Sequence, residues 1–201
     1  MRYRPENGFT IYELMITILI IGLVLALGLP SLRSVTQDNR VTVTTSDLQN
    51  AFKIARSEAV RARANVTVCA SDNSLSDDAD CRGEWRDGFI VFVDNDGNLA
   101  RDAANETLIR VHPASEDGVR LVVANDAKYF GFTPTGASRG DVDGLAAVSH
   151  IVVCDERGIA QASQGNSTAT LIIATPLGLA TVTRDHNMVG NAMQQMDKSC
   201  R

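Results

Sequence analysis

Residues 9–29 read Phe-Thr-Ile-Tyr-Glu-Leu-Met-Ile-Thr-Ile-Leu-Ile-Ile-Gly-Leu-Val-Leu-Ala-Leu-Gly-Leu, an apolar run with a single carboxylate, Glu13, near its start. As a helix, the last 19 of these residues would measure about 28 Å, close to the hydrocarbon thickness of a bilayer. An unpaired acid in hydrocarbon costs roughly 2.5 to 3.5 kcal/mol, so intramembrane acids usually have a cationic partner. The run offers Glu13 no basic residue, whereas a cut between Gly8 and Phe9 would free an α-amine nearby.

The leader, residues 1–8, and the junction after it resemble the class III signal of type IV pilins and type II secretion pseudopilins. In that family a prepilin peptidase of the inner membrane cleaves after the glycine and methylates the new amine. The resemblance implies that the leader is removed at Gly8, that Phe9 becomes the methylated N-terminus, and that Glu13 neutralises the N-terminal amine of a neighbouring subunit. A secretory signal peptide, the other interpretation, needs a small-residue site after the apolar run, and no A-x-A-like site follows it.

Charge predicts the orientation of the chain in a membrane. Arg2 and Arg4 precede the apolar run with only Glu6 of opposite sign, so the positive-inside rule keeps the leader in the cytoplasm. Together with the resemblance, this orientation implies a single-pass inner-membrane protein with a periplasmic head that later enters a pilus or pseudopilus filament. The whole chain has a formal net charge of −5, which does not indicate a general nucleic-acid binder.

The helix is predicted to continue beyond the apolar run, as far as residue 64. Pro30 removes a backbone donor, so we expect a kink or a local loosening there. Residues 31–64 are predicted to be an amphipathic continuation, with a β-branched weak point at residues 41–45. Its apolar stripe has spacings of four, three, four and three: Leu48, Phe52, Ala55, Ala59 and Ala62.

Residues 65–201 change to the period of β-strands and predict a β-rich head. The expected strands are Val66 to Ala70, Phe89 to Val93, Leu108 to His112, Val119 to Val123, Lys128 to Phe132, Ser149 to Cys154, Thr170 to Thr175 and Leu179 to Thr183. The fold class predicted is α+β: a long N-terminal helix, membrane-spanning over residues 9–30, packed against an antiparallel sheet. The tail from residue 186 to 201 is expected to be irregular or weakly helical.

Four cysteines lie beyond the apolar run, an even number in a compartment expected to be oxidising. They allow three pairings, and the sequence does not choose among them. We favour Cys69 with Cys81, which brackets a polar loop, and Cys154 with Cys200, which would tie down the tail. A zinc site is the alternative, but no C-x-x-C pair or histidine cluster accompanies these residues.

The motif Asp94-Asn95-Asp96-Gly97 looks like the start of a calcium loop but does not fit the EF-hand register. Counted from Asp94, Leu99 stands where the sharp-turn glycine belongs, and Asn105 where the bidentate glutamate belongs. A β-turn between strands is therefore the prediction, with no metal site and no cofactor. His112, His150 and His186 lack any recognisable catalytic or metal-binding pattern, so we expect no enzymatic activity.

Four segments of the helix and head, taken in order, are similar to the FimT/GspH family of minor pilins and pseudopilins. They are Leu48 to Ala64, Trp85 to Asp94, Phe132 to Gly136 and Cys154 to Gly158. The resemblance implies a low-copy subunit that helps to initiate or cap a type IV pilus, or, alternatively, a minor pseudopilin of a type II secretion system. It implies as partners the prepilin peptidase, other minor and major pilins or pseudopilins, and the inner membrane.

Some FimT proteins bind DNA during natural transformation through a Gly-Arg-x-Arg motif after the Cys-Asp-x-Arg-Gly segment. The counterpart here is Gly178-Leu179-Ala180-Thr181, which has neither arginine. Arg184 is the remaining candidate contact, but Asp185 follows it and weakens the positive potential that phosphate binding needs. A DNA-binding competence pilin is therefore the less favoured alternative.

Overall fold

A computed structural model describes residues 8–200, with the side chains of residues 27–31 left out. Its first element is a helix of 52 residues, α1, Ile11–Ala62. The chain divides into two compact units between Asn39 and Arg40. Among the described residues, no helix combines the length and the apolarity expected of a membrane-crossing segment.

Pro30 lies inside α1, which is continuous through it. The side chain of Pro30 belongs to the stretch that the structure does not describe, so the kink at this residue stays a prediction. The helix ends where Arg63 adopts a left-handed conformation, with φ of 53°, and directs the chain into the first strand.

The second half of α1 presents one buried face to the sheets. Its members are Val41, Thr44, Thr45, Leu48, Ala51, Phe52, Ala55 and Ala59. Four of the five predicted stripe residues are therefore buried, but Ala62 is exposed because the helix ends there. The β-branched run does not weaken the helix visibly. The Thr45 hydroxyl donates to the Val41 carbonyl at 2.7 Å, and packing overrides propensity.

The described residues of the head form eight strands in two antiparallel sheets. The strands are β1 (Val66–Ala70), β2 (Phe89–Val93), β3 (Leu108–His112), β4 (Arg120–Val123), β5 (Tyr129–Phe132), β6 (His150–Cys154), β7 (Asn166–Ala174) and β8 (Ala180–Asp185). The order is β3-β2-β1-β5 in the first sheet and β4-β6-β7-β8 in the second. The predicted α+β class, with a long N-terminal helix and antiparallel strands, is confirmed.

Strand positions agree closely with the sequence prediction. The first three strands have the predicted bounds, and most of the others differ by one or two residues. The largest difference is β7, which begins at Asn166 rather than Thr170 because its first residues pair with the end of β8 across a bulge. Short 3₁₀ turns occur at Ala124–Asp126 and Ser163–Gly165.

The C-terminal tail is more regular than expected, since residues His186–Met196 form a helix, α2. Asp185 caps its start by accepting a hydrogen bond from the Met188 amide at 2.9 Å. Val189, Ala192 and Met193 follow the helical period and are buried against the second sheet. This contact with the sheet stabilises a helix that is too short to be stable alone.

Strand β6 is covered on both faces, which explains its continuous apolar sequence. Ile151 and Val153 point into the core shared with α1, whereas Val152 and Cys154 point into the core under α2. A third cluster, with Ile90 and Phe92 at its centre, covers the other side of the first sheet. The head is thus held by three apolar clusters.

Candidate functional site

The N-terminal junction is open to solvent in the described part of the chain. Gly8 is exposed, and a Cβ placed on it would meet no other atom within 4 Å. Phe9 is 85% exposed and precedes the first residue of α1 by two positions. The predicted cleavage bond between Gly8 and Phe9 therefore lies on an accessible, non-helical stretch. The remainder of the predicted leader, residues 1–7, lies outside the described residues.

Glu13 belongs to a capping box at the start of α1. The Glu13 carboxylate oxygen Oε2 accepts hydrogen bonds from the Thr10 amide at 3.1 Å and from the Thr10 hydroxyl at 3.0 Å. The Glu13 amide in turn donates to the Thr10 hydroxyl at 3.3 Å. Thr10 is a neutral partner of Glu13 that the sequence analysis did not identify, because only basic residues were considered. Thr-x-x-Glu before an apolar run is the usual signature of a capping box.

The capping box uses only one of the two carboxylate oxygens of Glu13. Within residues 8–200, no hydrogen bond to Oε1 is present, and the side chain is exposed. A carboxylate at a helix N-terminus also interacts favourably with the helix dipole. Glu13 is therefore an oriented anion with an oxygen available to an external donor.

Helix α1 exposes large apolar side chains along its first half. Beyond Phe9 they are Ile11, Tyr12, Leu14, Met15, Ile16, Ile18, Leu19, Ile20, Ile21, Leu23, Val24, Leu25, Leu32 and Val35. They occur at nearly every position and so surround the helix, unlike the one-sided stripe that begins at Val41. An exposed apolar surface of this extent is typical of an interaction site.

Both disulfides are formed, with the pairing that the sequence analysis favoured. Cys69 is bonded to Cys81 across 12 residues, and Cys154 to Cys200 across 46 residues. The first bond closes the loop after β1, and the second attaches the segment after α2 to the central strand β6. All four cysteines are used, so none of them supplies a thiolate for the alternative zinc site.

The family model described as type II transport protein GspH matches residues 44–178. This match covers more than half of the chain, from the buried face of α1 through β7. The chain belongs to the GspH family. Members of this family are pilin-like structural subunits, so the resemblance noted in the sequence is confirmed. The match begins after the N-terminal junction, so Gly8, Phe9 and Glu13 lie outside it.

Two crystal structures of the type IV minor pilin FimU from Pseudomonas aeruginosa, in space groups P21 and P65, are similar to this GspH-family chain. Their sequence identities to it are 15% and 14%, with TM-scores of 0.48 and 0.46. The similar regions cover 83% and 80% of this chain, and 96% and 97% of the FimU chains. A comparison with curated proteins finds no match.

The counterpart of the DNA-binding motif in this GspH-family chain is a tight turn. Gly178 has φ of 72°, and its amide donates to the Thr175 carbonyl at 2.9 Å. A Cβ on Gly178 would lie 2.2 Å from the carbonyl oxygen of Gly136, so only glycine fits. Arg184, the candidate DNA contact, is half-buried and donates to the Thr168 carbonyl at 3.5 Å.

Replacing Gly178 by Ala should destabilise the head, because it adds a backbone clash to the cost of a left-handed non-glycine residue. We expect a loss of about 2 to 4 kcal/mol in the free energy of unfolding, measured by urea unfolding. Gly140→Ala is the matched control, since Gly140 has φ of 66° and no atom within 4 Å of a Cβ. Equal losses in the two variants would contradict the role assigned to the close approach of Gly136.

Three carboxylates meet in the loop between β2 and β3. One carboxylate oxygen from each of Asp94, Asp96 and Glu106 lies within 4.8 Å of the other two. The EF-hand pattern does not reveal this group, because that pattern requires ligands at fixed positions counted from Asp94. In the structure Leu99 itself adopts the left-handed conformation, with φ of 64°, and Glu106 rather than its neighbour Asn105 carries the carboxylate.

The loop also holds a fourth carboxylate, Asp102, in its ionised form. A hydrogen bond from the Asn105 side chain, and then one from the Ala104 amide, keep the pKa of Asp102 below its usual range. The Asp102 amide donates to Glu106 Oε2 at 2.9 Å. The loop is therefore strongly negative and internally hydrogen-bonded.

The three histidines belong to three different elements, β3, β6 and α2. The His112 Nε2 atom is 3.1 Å from an Asp47 carboxylate oxygen, and its ring stacks on Phe89 with centroids 4.6 Å apart. His150 begins β6 beside Ser149, and His186 begins α2. His112 thus joins the first sheet to α1, which is a structural contact.

Proposed function

We propose that this GspH-family chain is a minor pilin that is cleaved between Gly8 and Phe9 and helps to initiate or cap a type IV pilus. The observation that carries the proposal is the arrangement at the helix start. An accessible Gly-Phe bond is followed by an oriented, exposed carboxylate and then by apolar side chains around the first half of α1. These are the parts that an assembly driven by helix packing and a buried charge pair requires.

Residues 9–30 would hold the chain in the inner membrane before assembly, with the basic leader in the cytoplasm. The apolar side chains around this part of α1 support that placement. The disulfides support a periplasmic head, since such bonds persist in oxidising compartments. The membrane and the prepilin peptidase are thus the first partners of the newly made chain.

In the filament, the methylated amine of Phe9 on one subunit would pair with Glu13 of its neighbour. The free Oε1 atom of Glu13 supports this pairing, because the capping box occupies only the other oxygen. The neighbours would be other minor and major pilins, whose helices would cover the apolar surface. The head, with its two sheets, would face outward.

A second candidate is a minor pseudopilin of a type II secretion system. The description of the matching family as a type II transport protein favours it. Both candidates use the same residues at the junction, so they differ in the neighbouring subunits rather than in chemistry. Cross-linking followed by identification of the subunits attached to this chain would separate them. DNA uptake is not proposed, because Arg184 is half-buried and bonded within its own sheet.

Processing gives a direct prediction: the mature polypeptide should begin at a methylated Phe9. Mass spectrometry of the N-terminal peptide from membranes of the producing bacterium would measure it. Gly8→Val should leave the leader attached, since the peptidase would no longer find the small residue before the bond. Tyr12→Leu, a change inside the same exposed segment, should be processed normally. A mature chain that starts at another residue would overturn the proposal.

A further inference from the structure

The carboxylate group of the β2–β3 loop has a buried side and an exposed side. Asp94, directly after β2, is fully buried, and Glu106 is 6% exposed, whereas Asp96 lies at the surface. Burying two carboxylates beside a third is costly unless positive charge or hydrogen-bond donors compensate them. Whether a carboxylate oxygen of this group can bind a cation therefore depends on the hydrogen bonds that it already accepts.

One carboxylate oxygen of Asp94 accepts hydrogen bonds, and the other accepts none. Its Oδ2 atom accepts hydrogen bonds from the Thr67 hydroxyl and from the Arg139 guanidinium, each at 2.8 Å. Its Oδ1 atom is buried and has no hydrogen-bond partner. A buried carboxylate oxygen without a donor is rare in folded proteins, and a bound water or cation is a usual partner for such an atom. One carboxylate oxygen of this fully buried residue lies within 4.8 Å of an oxygen of Asp96 and of Glu106.

The remaining carboxylates are held in place by backbone amides. Glu106 accepts from the Asn95 amide through Oε1 at 2.8 Å and from the Asp102 amide through Oε2 at 2.9 Å. Asp96 accepts from the Asn98 backbone amide through Oδ1 at 3.1 Å and from the Asn98 side-chain amide through Oδ2 at 2.7 Å. Each of these oxygens keeps a second lone pair, so the hydrogen bonds orient the carboxylates without using up their capacity to bind a cation.

Within the group of Asp94, Asp96 and Glu106, not counting Asp102, the charge is unbalanced by two units. Arg139 compensates one of the three carboxylates, and its second nitrogen donates to the Gly97 carbonyl at 2.7 Å. Arg101, on the same loop, donates instead to the backbone carbonyls of Asp77 and Ala79. Two negative charges thus remain for a dication.

We propose that Asp94, Asp96 and Glu106 bind a calcium ion, with Asp94 Oδ1 as its buried ligand. All the ligand atoms are hard carboxylate oxygens, which calcium prefers, and none is the thiolate or imidazole that a softer metal would select. Calcium–oxygen distances of about 2.3 to 2.6 Å allow ligand oxygens up to about 5 Å apart, which accommodates the observed spacing. The smaller magnesium ion needs a closer, octahedral set of oxygens.

The bound ion would fasten the end of β2 to the residues just before β3. The ion would join the two ends of the loop between these strands through Asp94 and Glu106, and would also hold the loop through Asp96. Extracellular calcium modules have dissociation constants of about 10⁻⁴ to 10⁻³ M, and an ion at this partly exposed loop belongs to that class. This inference does not depend on processing or assembly of the helix.

Calorimetric titration of the full chain in detergent tests the site. The protein is first treated with a chelator and then titrated with calcium chloride to about 10 mM at constant ionic strength. We expect saturable binding of one ion and a rise in the thermal unfolding midpoint. Asp96→Asn should weaken binding by at least about tenfold, because it removes one ligand charge while its amide oxygen still caps the turn. The calcium-free variant should stay folded, since the only hydrogen bond it loses within the described residues is the exposed one from the Asn98 side chain to Asp96 Oδ2.

Asp77→Asn is the matched control, since Asp77 is an exposed acid outside the group. It removes the same charge and should leave calcium binding unaffected. The proposal is overturned by a titration without saturation, by equal calcium affinity of Asp96→Asn and the parent chain, or by equal loss in Asp77→Asn. Magnesium chloride binding as tightly as calcium chloride would overturn the assignment to calcium.

Discussion

Filaments are expected to lose this subunit when Glu13 is replaced by Gln, although the side chain keeps its size and its hydrogen-bonding capacity. Gln at this position can still accept from the Thr10 amide, so the capping box survives. Only the charge that would pair with the Phe9 amine of a neighbour is removed. Two unit charges about 4 Å apart interact by about 4 kcal/mol at an effective dielectric constant of about 20. Since about 1.4 kcal/mol changes an equilibrium tenfold, we expect incorporation to fall at least about tenfold.

The measurement is an immunoblot of sheared filaments against membranes from the same cells. Glu13→Gln should accumulate in membranes in its cleaved form and be lost from filaments. Thr10→Ala gives the reciprocal control, because it removes the capping hydroxyl and keeps the carboxylate, and it should still assemble. Normal incorporation of Glu13→Gln would mean that the carboxylate serves the helix start alone.

Removing the disulfide between Cys154 and Cys200 is expected to cost about 4 kcal/mol in the free energy of unfolding. The loop-entropy relation gives this value for a closure of 46 residues, against about 3 kcal/mol for the closure of 12 residues between Cys69 and Cys81. A domain is typically stable by only 5 to 15 kcal/mol, so either loss is large. The longer closure also keeps α2 on the second sheet, where Cys154 and Cys200 share a cluster with Met193.

Urea unfolding followed by circular dichroism compares the two disulfides. Alanine replaces both cysteines of a pair, so that no free thiol remains to form other bonds. We expect the Cys154→Ala, Cys200→Ala variant to unfold at a lower urea concentration than the Cys69→Ala, Cys81→Ala variant. It should also lose helical signal before the main transition. The reverse order of midpoints would refute the proposed role of the longer closure.

Most of the fold could be predicted because its signals are local. Strands β1 and β2 are runs of five β-forming residues between turn residues, and their bounds could be read directly from the sequence. The buried face of α1 repeats at helical spacing, so it too could be recognised. Helix α2 could not, because its stripe is short, Gly190 interrupts it, and the sheet that covers it is assembled from distant segments.

The candidate sites, like the elements of the fold, could be predicted where their residues are close in sequence and could not where the residues are distant. The Gly8–Phe9 junction and Glu13 are recognised from contiguous residues, and the capping box could have been found from Thr10 and Glu13 alone. The carboxylate group could not, because a backbone loop brings Glu106 back to Asp94. A fixed ligand register fails there, since the left-handed conformation of Leu99 cannot be expected from a leucine.

The capping box has a consequence for the timing of filament growth. Thr10 and Glu13 make their hydrogen bonds in the uncleaved chain. If the chain is processed as proposed, the acceptor half of the subunit contact is therefore shaped before the peptidase acts. On the proposed mechanism, proteolysis then supplies the missing cation and nothing else. Cleavage would be a trigger that converts a resident of the bilayer into a polymerisable subunit, with no refolding step to delay it.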